Sequence, residues 1–257
     1  MLEINHVTKT YNPGLITEVT IFRDFSLNVE KGEFVSVVGS NGSGKTTLLN
    51  IICGSIGVEA GEIRISGRDV THEKEYCRYR SIGRVYQNPA LGTAPELTIF
   101  ENMSLADHKG GRYGLSRGVN RARREDYREM LAGLDLGLEN KMDVRMGSLS
   151  GGQRQAVSLL MATMTPLDFL ILDEHTAALD PKTAEIIMQL TDRVIREKKL
   201  TAIMVTHNLR HAVEYGSRLL MLDRGGIVLD KAGEEKKALS VEDVLGLFNS
   251  ISIECGN

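Results

Sequence analysis

An α/β fold built on a mainly parallel sheet is predicted by three features of the sequence. Apolar runs of strand length recur at Phe34–Val38, Phe169–Leu172 and Ala202–Val205, too uniformly apolar to face water on one side. Amphipathic stretches of helical length separate such runs, the clearest at Lys182–Lys198. The 257 residues suffice for one large domain, or a domain with a subdomain, around a sizeable core.

In order, Leu2 to Tyr11 reads as a strand with Leu2, Ile4 and Val7 toward one side, and Asn12-Pro13-Gly14 as a turn. A second strand runs from about Glu18 to Val29, and Glu30–Glu33 turns into the buried strand Phe34–Val38. A glycine loop and a helix to about Cys53 follow, then a short strand from Glu62 to Ser66. Thr71–Arg80 is charged and reads as helix or loop, and Ile82–Gln87 as a strand. From Thr98 the chain turns helical, with Ile99, Met103 and Leu105 assigned to one face, broken at Gly110-Gly111 and Gly114. Asn120 is the expected cap of a helix reaching Leu134. A helix from Ser150 to Thr163 precedes the strand Phe169–Glu174. The helix Lys182–Lys198 is expected to turn Ile186, Ile187, Leu190, Val194 and Ile195 inward. After Ala202–Thr206 come a short helix at Asn208–Tyr215 and a hairpin around Arg224-Gly225-Gly226. The tail reads as a polar turn from Glu234, a short helix at Val241–Phe248 and a loose end.

Composition narrows the function classes. A net charge of −3 gives no basic bias toward nucleic acid, and 5% aromatics with no Trp offer no stacking platform for single strands. The run Arg117, Arg121, Arg123 and Arg124 has Glu125 and Asp126 beside it and reads as a solvated helix face. Cys53, Cys77 and Cys255 show neither metal spacing nor a disulfide framework, as suits a reducing compartment. The N-terminus lacks a signal-peptide pattern, and no apolar run approaches the ~20 residues of a membrane span. A soluble chain is expected, reaching a membrane only through a partner.

Three stretches carry chemistry. Gly39-Ser40-Asn41-Gly42-Ser43-Gly44-Lys45-Thr46 follows a strand and opens a helix, the context in which G-x-x-x-x-G-K-[ST] binds phosphate. Its glycines let successive N–H groups converge on phosphate oxygens, and the helix start adds a positive dipole end. Lys45 supplies a cation for the β- and γ-phosphates, and the Thr46 hydroxyl, next to Thr47, is a Mg²⁺ ligand. At the end of Phe169–Leu172, Asp173 is placed to hold Mg²⁺ and Glu174 to polarise an attacking water. The blander reading is a strand ending in helix-capping acids. Ser150-Gly151-Gly152, inside Leu149–Gln153, sits at a helix start and reads either as a second anion site or as a plain cap.

Together these motifs resemble the ATP-binding subunit of ATP-binding-cassette (ABC) transporters. Gly39–Thr46 matches Walker A, Leu149–Gln153 the LSGGQ signature without change, and Leu170–Glu174 Walker B with its catalytic glutamate. Gln87 matches the Q-loop, Ala178-Leu179-Asp180 the D-loop and His207 the switch histidine, and Tyr11 lies where the family stacks an aromatic on adenine. The resemblance spans nearly the whole chain. His175 departs from it, since the family usually has proline after the glutamate. With Gly92-Thr93-Ala94-Pro95, it resembles a subgroup of bacterial importer ATPases whose permeases look like branched-chain amino-acid or sugar permeases.

The resemblance implies a P-loop NTPase core: a mixed sheet with flanking helices plus N-terminal antiparallel strands. That ATPase core would cover 1–89 and 166–233, with a helical subdomain at about 90–165 and a tail at 234–257, in one cassette. It implies ATP and Mg²⁺ as ligands, and two copies paired head to tail, each ATP lying between Gly39–Thr47 of one and Ser150–Gly152 of the other. Asp173, Thr46 and Gln87 would hold the metal, and Glu174 and His207 would prepare the water. Partners would be an integral membrane permease at the cytoplasmic face, reached through Gln87–Glu101, and indirectly a solute-binding protein. Import of an amino acid or similar small solute is the favoured job. The alternative is a soluble ABC ATPase acting on nucleic acid, a ribosome or a protein assembly, but no coiled-coil insertion, tandem cassette or basic extension supports it. A plain nucleotide-binding regulator conflicts with the intact catalytic set.

Overall fold

The computed structural model describes residues 1–111 and 118–254, with backbone alone for 251–254. Gly114, Arg117 and Cys255 therefore lie outside the described residues. The chain opens with β1 (Leu2–Tyr11) paired antiparallel to β2 (Val19–Val29). Leu2, Ile4 and Val7 are all buried, although the step of three from Ile4 would send Val7 to the opposite face of a regular strand. A register shift between Ile4 and Val7, with His6 at φ 53°, restores the face.

Next come β3 (Phe34–Gly39), buried along its whole length, and α1 (Lys45–Cys53). The strands β4 (Ala60–Ile65) and β5 (Arg68–Asp69) complete a four-stranded antiparallel sheet in the order β2-β1-β4-β5. The helix α2 (Glu75–Arg78) is a single turn. By its internal contacts the chain divides into two units, Met1–Tyr79 with Lys198–Asn257, and Arg80–Glu197.

The second unit contains β6 (Ile82–Val85), α3 (Ile99–Asp107), α4 (Arg124–Ala132), α5 (Gly151–Thr163), β7 (Phe169–Asp173) and α6 (Pro181–Lys198). β6 and β7 run parallel, from Ile82 opposite Phe169 to Val85 opposite Leu172. Thr98 starts α3 with a capping box, its Oγ1 accepting from Glu101 N at 3.2 Å while Glu101 Oε2 accepts from Thr98 N at 2.8 Å. Ile99 and Met103 are buried, but Leu105 is 45% exposed. Six positions after Ile99 it has turned about 240° around the helix, so it does not share that face.

Asn120 does not cap the following helix. A 3₁₀ turn, Arg121–Arg123, intervenes, and Asn120 is engaged by its backbone N–H, which donates to Ser104 Oγ. Arg123 pairs with Asp107 and Asp126, and Arg124 with Asp143, as a solvated charged face would. Met142 and Met146 are core residues. On α6 the inward stripe is Ala184, Ile187, Met188, Thr191 and Ile195, with Leu190 also buried. Ile186, one residue off that stripe, is 42% exposed, and Val194 is half-buried.

The chain then returns to the first unit with β8 (Ala202–Val205), α7 (Leu209–Glu214), β9 (Arg218–Asp223) and β10 (Gly226–Ala232). β3 lies between β8 and β9 and is parallel to both, while β10 closes an antiparallel hairpin with β9. The result is a mixed sheet beside an antiparallel one, as expected. The expected polar turn after the hairpin is instead α8 (Gly233–Lys237), its first-turn acids and last-turn lysines matching the helix dipole. The last helix, α9 (Val241–Glu254), is longer than its sequence pattern suggested. Ser240 caps it, accepting from Asp243 N, and Val244 is buried against Val38, Ala212, Leu219 and Met221. No helix among the described residues is long and apolar enough to cross a membrane.

Candidate functional site

In the first unit, the apolar β3 delivers the chain to the glycine loop at the N-terminus of α1. Gly39 is required by close approach: a Cβ there would lie 2.3 Å from Leu222 O and 2.6 Å from Ser43 Oγ. Lys45, 6% exposed, folds back so that Nζ donates to Gly39 O at 2.7 Å and Ser40 O at 2.8 Å. Its cation therefore lies over the loop. The β9–β10 turn braces the loop from behind, with Gly225 N donating to Ser43 O and Ser40 Oγ to Asp223 Oδ1. Ser43 Oγ is buried without a hydrogen-bond partner among the described residues, an unmet polar demand inside the cradle that an anionic oxygen or water would satisfy.

Thr46 is exposed on the first turn of α1, and Asn41 and Gly42 are exposed in the loop. Thr47 is half-buried, its Oγ1 3.5 Å from Tyr11 Oη. The aromatic singled out in the sequence is thus brought beside the loop helix, with Lys9 Nζ 5.3 Å from its ring centre. His207, exposed just past β8, lines an open cleft of about 360 Å³ together with Ser40 and Asn41.

In the second unit, β7 carries Asp173 and Glu174 to its C-terminal end. Asp173 Oδ2 accepts from Arg84 Nη2 at 2.6 Å, in a pair whose side chains are 16% and 8% exposed. The register explains the reach: Arg84 lies opposite Ile171, and Asp173 is two residues on, with its side chain on the same face. Arg84 also stacks at 4.7 Å over Tyr86, whose carbonyl accepts from Gln155 Nε2 on α5 at 3.1 Å. One chain of contacts thereby links Asp173, the segment leading into the exposed Gln87, and the helix behind Ser150. The sequence reading missed Arg84, although a charged residue inside Ile82–Val85 demanded a carboxylate partner.

Ser150 forms a capping box with Gln153, each accepting the other's backbone N–H at 3.3 Å. The two glycines after it answer to packing: a Cβ on Gly152 would lie 2.2 Å from Thr183 Cγ2, and one on Gly151 would lie 3.2 Å from Leu179 Cδ2. Asp180 accepts from Thr183 N at 3.1 Å, and its hydrogen bonds to the Thr183 side chain and backbone hold its carboxyl below the usual range. Glu174 is half-buried at φ 47°, a left-handed conformation that few side-chained residues adopt. No group of three or more His, Cys, Asp or Glu able to hold a metal exists among the described residues.

A family model described as ABC transporter matches residues 22–177. The Tyrosine transport ATP-binding protein of Clostridioides difficile (strain R20291) is 45% identical over 248 residues, covering 96% of this chain and 98% of the relative. The Phosphonates import ATP-binding protein PhnC of Alcaligenes faecalis is 34% identical over 239 residues, covering 90% and 82%. Among solved structures, a dimeric post-hydrolysis state of the ATP-binding cassette MJ0796 with ADP and Pi has a TM-score of 0.76 at 32% identity, covering 90% of this chain and 98% of that one. The ADP conformation of the cassette MJ1267 has a TM-score of 0.81 at 25% identity, covering 100% and 99%.

Proposed function

Because the chain belongs to the ABC transporter family, as an ATP-binding subunit that hydrolyses ATP, we propose that it powers import of an amino acid or similar small solute through a separate membrane permease. The observation that carries the solute class is the 45% identity, along 96% of the chain, to a subunit named for tyrosine transport. The chain would work from the cytoplasmic face of the membrane, held by the permease, with a solute-binding protein delivering cargo from the other side. A helical subdomain at about 90–165 would carry the signature, the ATPase core would comprise 1–89 and 166–233, and 234–257 would be a tail.

In this reading Gly39–Thr47 holds the phosphates, Lys45 meets the β- and γ-phosphates, and Tyr11 stacks on adenine. Thr46, Gln87 and Asp173 would hold Mg²⁺, which supplies charge neutralisation on the phosphates when bound. Glu174 orients and polarises the attacking water, and His207 contacts the γ-phosphate and helps to orient that water. Asp180 and Ser150–Gly152 act on the nucleotide of a second copy, so closure depends on the γ-phosphate and hydrolysis reopens the pair. The position of Lys45 over a braced loop supports the phosphate role, and the capped N-terminus of α5 supports an anion contact at Ser150–Gly152.

The test is purification from its own membranes followed by reconstitution. The chain is expected to co-purify with an integral permease and to drive ATP-dependent uptake of an amino acid such as tyrosine into vesicles. Recovery with ribosomes or nucleic acid instead, and no permease, would defeat the proposal in favour of a soluble ATPase.

A further inference from the structure

We propose that His175 and Thr191 form a side-chain clamp that positions Glu174 for water activation. The inference rests on the reading of Glu174 given above.

Glu174 sits at φ 47°, a strained conformation for a side-chained residue that persists only if its neighbours enforce it. Both neighbours are anchored. Asp173 is held by Arg84 at 2.6 Å on one side. On the other, His175 is 2% exposed, and its Nε2 lies 3.1 Å from Thr191 Oγ1 on α6. Thr191 is fully buried and spends its single hydroxyl proton on Ile187 O, at 2.7 Å. With that proton directed at Ile187 O, Thr191 Oγ1 accepts from His175 in the tautomer protonated at Nε2. A turn closes the segment, with Ala177 N donating to Glu174 O at 2.9 Å.

A buried histidine donating into a helix side chain is a specific device. Proline at this position would have restricted the backbone of Glu174 through its ring. Histidine leaves that backbone free of a ring clash, and α6 must hold it through the hydrogen bond. The clamp touches neither nucleotide nor water; it acts through Glu174, so His175 and Thr191 are positioning residues.

The experiment measures kcat, KM, ATP affinity and thermal midpoint for His175→Ala, His175→Gln, Thr191→Val and Thr191→Ser, each with and without Glu174→Gln. His175→Ala and Thr191→Val are expected to lower kcat about 10- to 100-fold at unchanged ATP affinity, because a displaced base loses orientation rather than binding. His175→Gln, which keeps a donor at the Nε2 position, and Thr191→Ser, which keeps the hydroxyl, should restore most of the rate. In the Glu174→Gln background neither His175→Ala nor Thr191→Val should lower the residual rate further. Thr191→Val is nearly isosteric and carries the test if His175→Ala does not fold. Equal losses with and without Glu174→Gln, or losses that follow thermal midpoint or ATP affinity, would overturn the clamp while leaving Glu174 in place. Glu174→Gln hydrolysing at the wild-type rate would instead overturn the role of Glu174 itself.

Discussion

Replacing Arg78 by methionine should loosen the helix that carries the phosphate loop. Arg78 is 2% exposed, and its guanidinium crosses the C-terminus of α1, with Nη1 donating to Ile51 O at 2.7 Å and Ile52 O at 3.1 Å and Nη2 to Thr71 O at 3.1 Å. Ile51 O and Ile52 O are carbonyls that a helix end leaves without internal partners, and Thr71 O belongs to the turn after β5. Ile51 O keeps the Gly54 N–H at 3.1 Å, so the loss falls on Ile52 O and Thr71 O. At about 1–3 kcal/mol for each buried group left without its donor, the gross penalty is about 2–6 kcal/mol. Part of it returns, because burial already disfavours the charged guanidinium and holds its pKa below the ordinary arginine range. The expected net loss is about 3 kcal/mol, read as a drop in the urea midpoint, with weaker binding of a fluorescent ATP analogue. Arg78→Lys keeps the charge, but one ammonium cannot span three carbonyls, so it should fall between the two. An Arg78→Met chain within 0.5 kcal/mol of wild type, with unchanged nucleotide affinity, would refute the anchoring argument.

Gly152→Ala should destabilise the chain by about 1–3 kcal/mol, since its Cβ would press on Thr183 Cγ2 at 2.2 Å. Adding Thr183→Ser removes that methyl and leaves Thr183 Cβ at 3.7 Å, so the double variant should regain most of the loss in chemical unfolding. Lys109 donates to Ile82 O at 2.7 Å, and burial lowers its pKa to about 8. Between that value and the ordinary 10.5 the unfolded chain holds the extra proton, so stability rises with pH across this window, and the cost of burying the charge is full below it. Relative to Lys109→Met, the wild type should gain about 2 kcal/mol between pH 8 and pH 10.5, measured by unfolding at each pH.

Much of this was legible in the sequence where local rules and tertiary demands coincide. The strand-loop-helix at Phe34–Cys53, the strand ending in Asp173 and the helix beginning after Ser150 are each marked by several agreeing signals, and each appears where expected. What stayed hidden depends on partners distant in sequence. Nothing local says that the guanidinium of Arg78 closes α1, that Thr183 excludes a side chain at Gly152, or that Thr191 holds His175. The faces of α3 and α6 were misjudged at Leu105 and Ile186 because apolar residue type was allowed to outweigh angular position. Asn120 failed as a cap because the 3₁₀ turn Arg121–Arg123 separates it from α4, an insertion that no cap rule foresees. Arg84 is the instructive miss, since an arginine in a four-residue apolar strand could have been followed to the acids closing the other buried strands.

The central claim is that each ATP is hydrolysed by two chains together, and complementation tests it most directly. One variant, Lys45→Ala, loses the phosphate cation but keeps Ser150–Gly152. The other, Ser150→Arg, keeps the phosphate loop but blocks the signature. Each alone should be inactive in ATP hydrolysis. Mixed in equal amounts, they should recover up to roughly a quarter of the wild-type rate, because half of the dimers are mixed and each holds one intact site of two. A mixture as inactive as its components, although mixed dimers form, would contradict the account and place the whole site within a single chain.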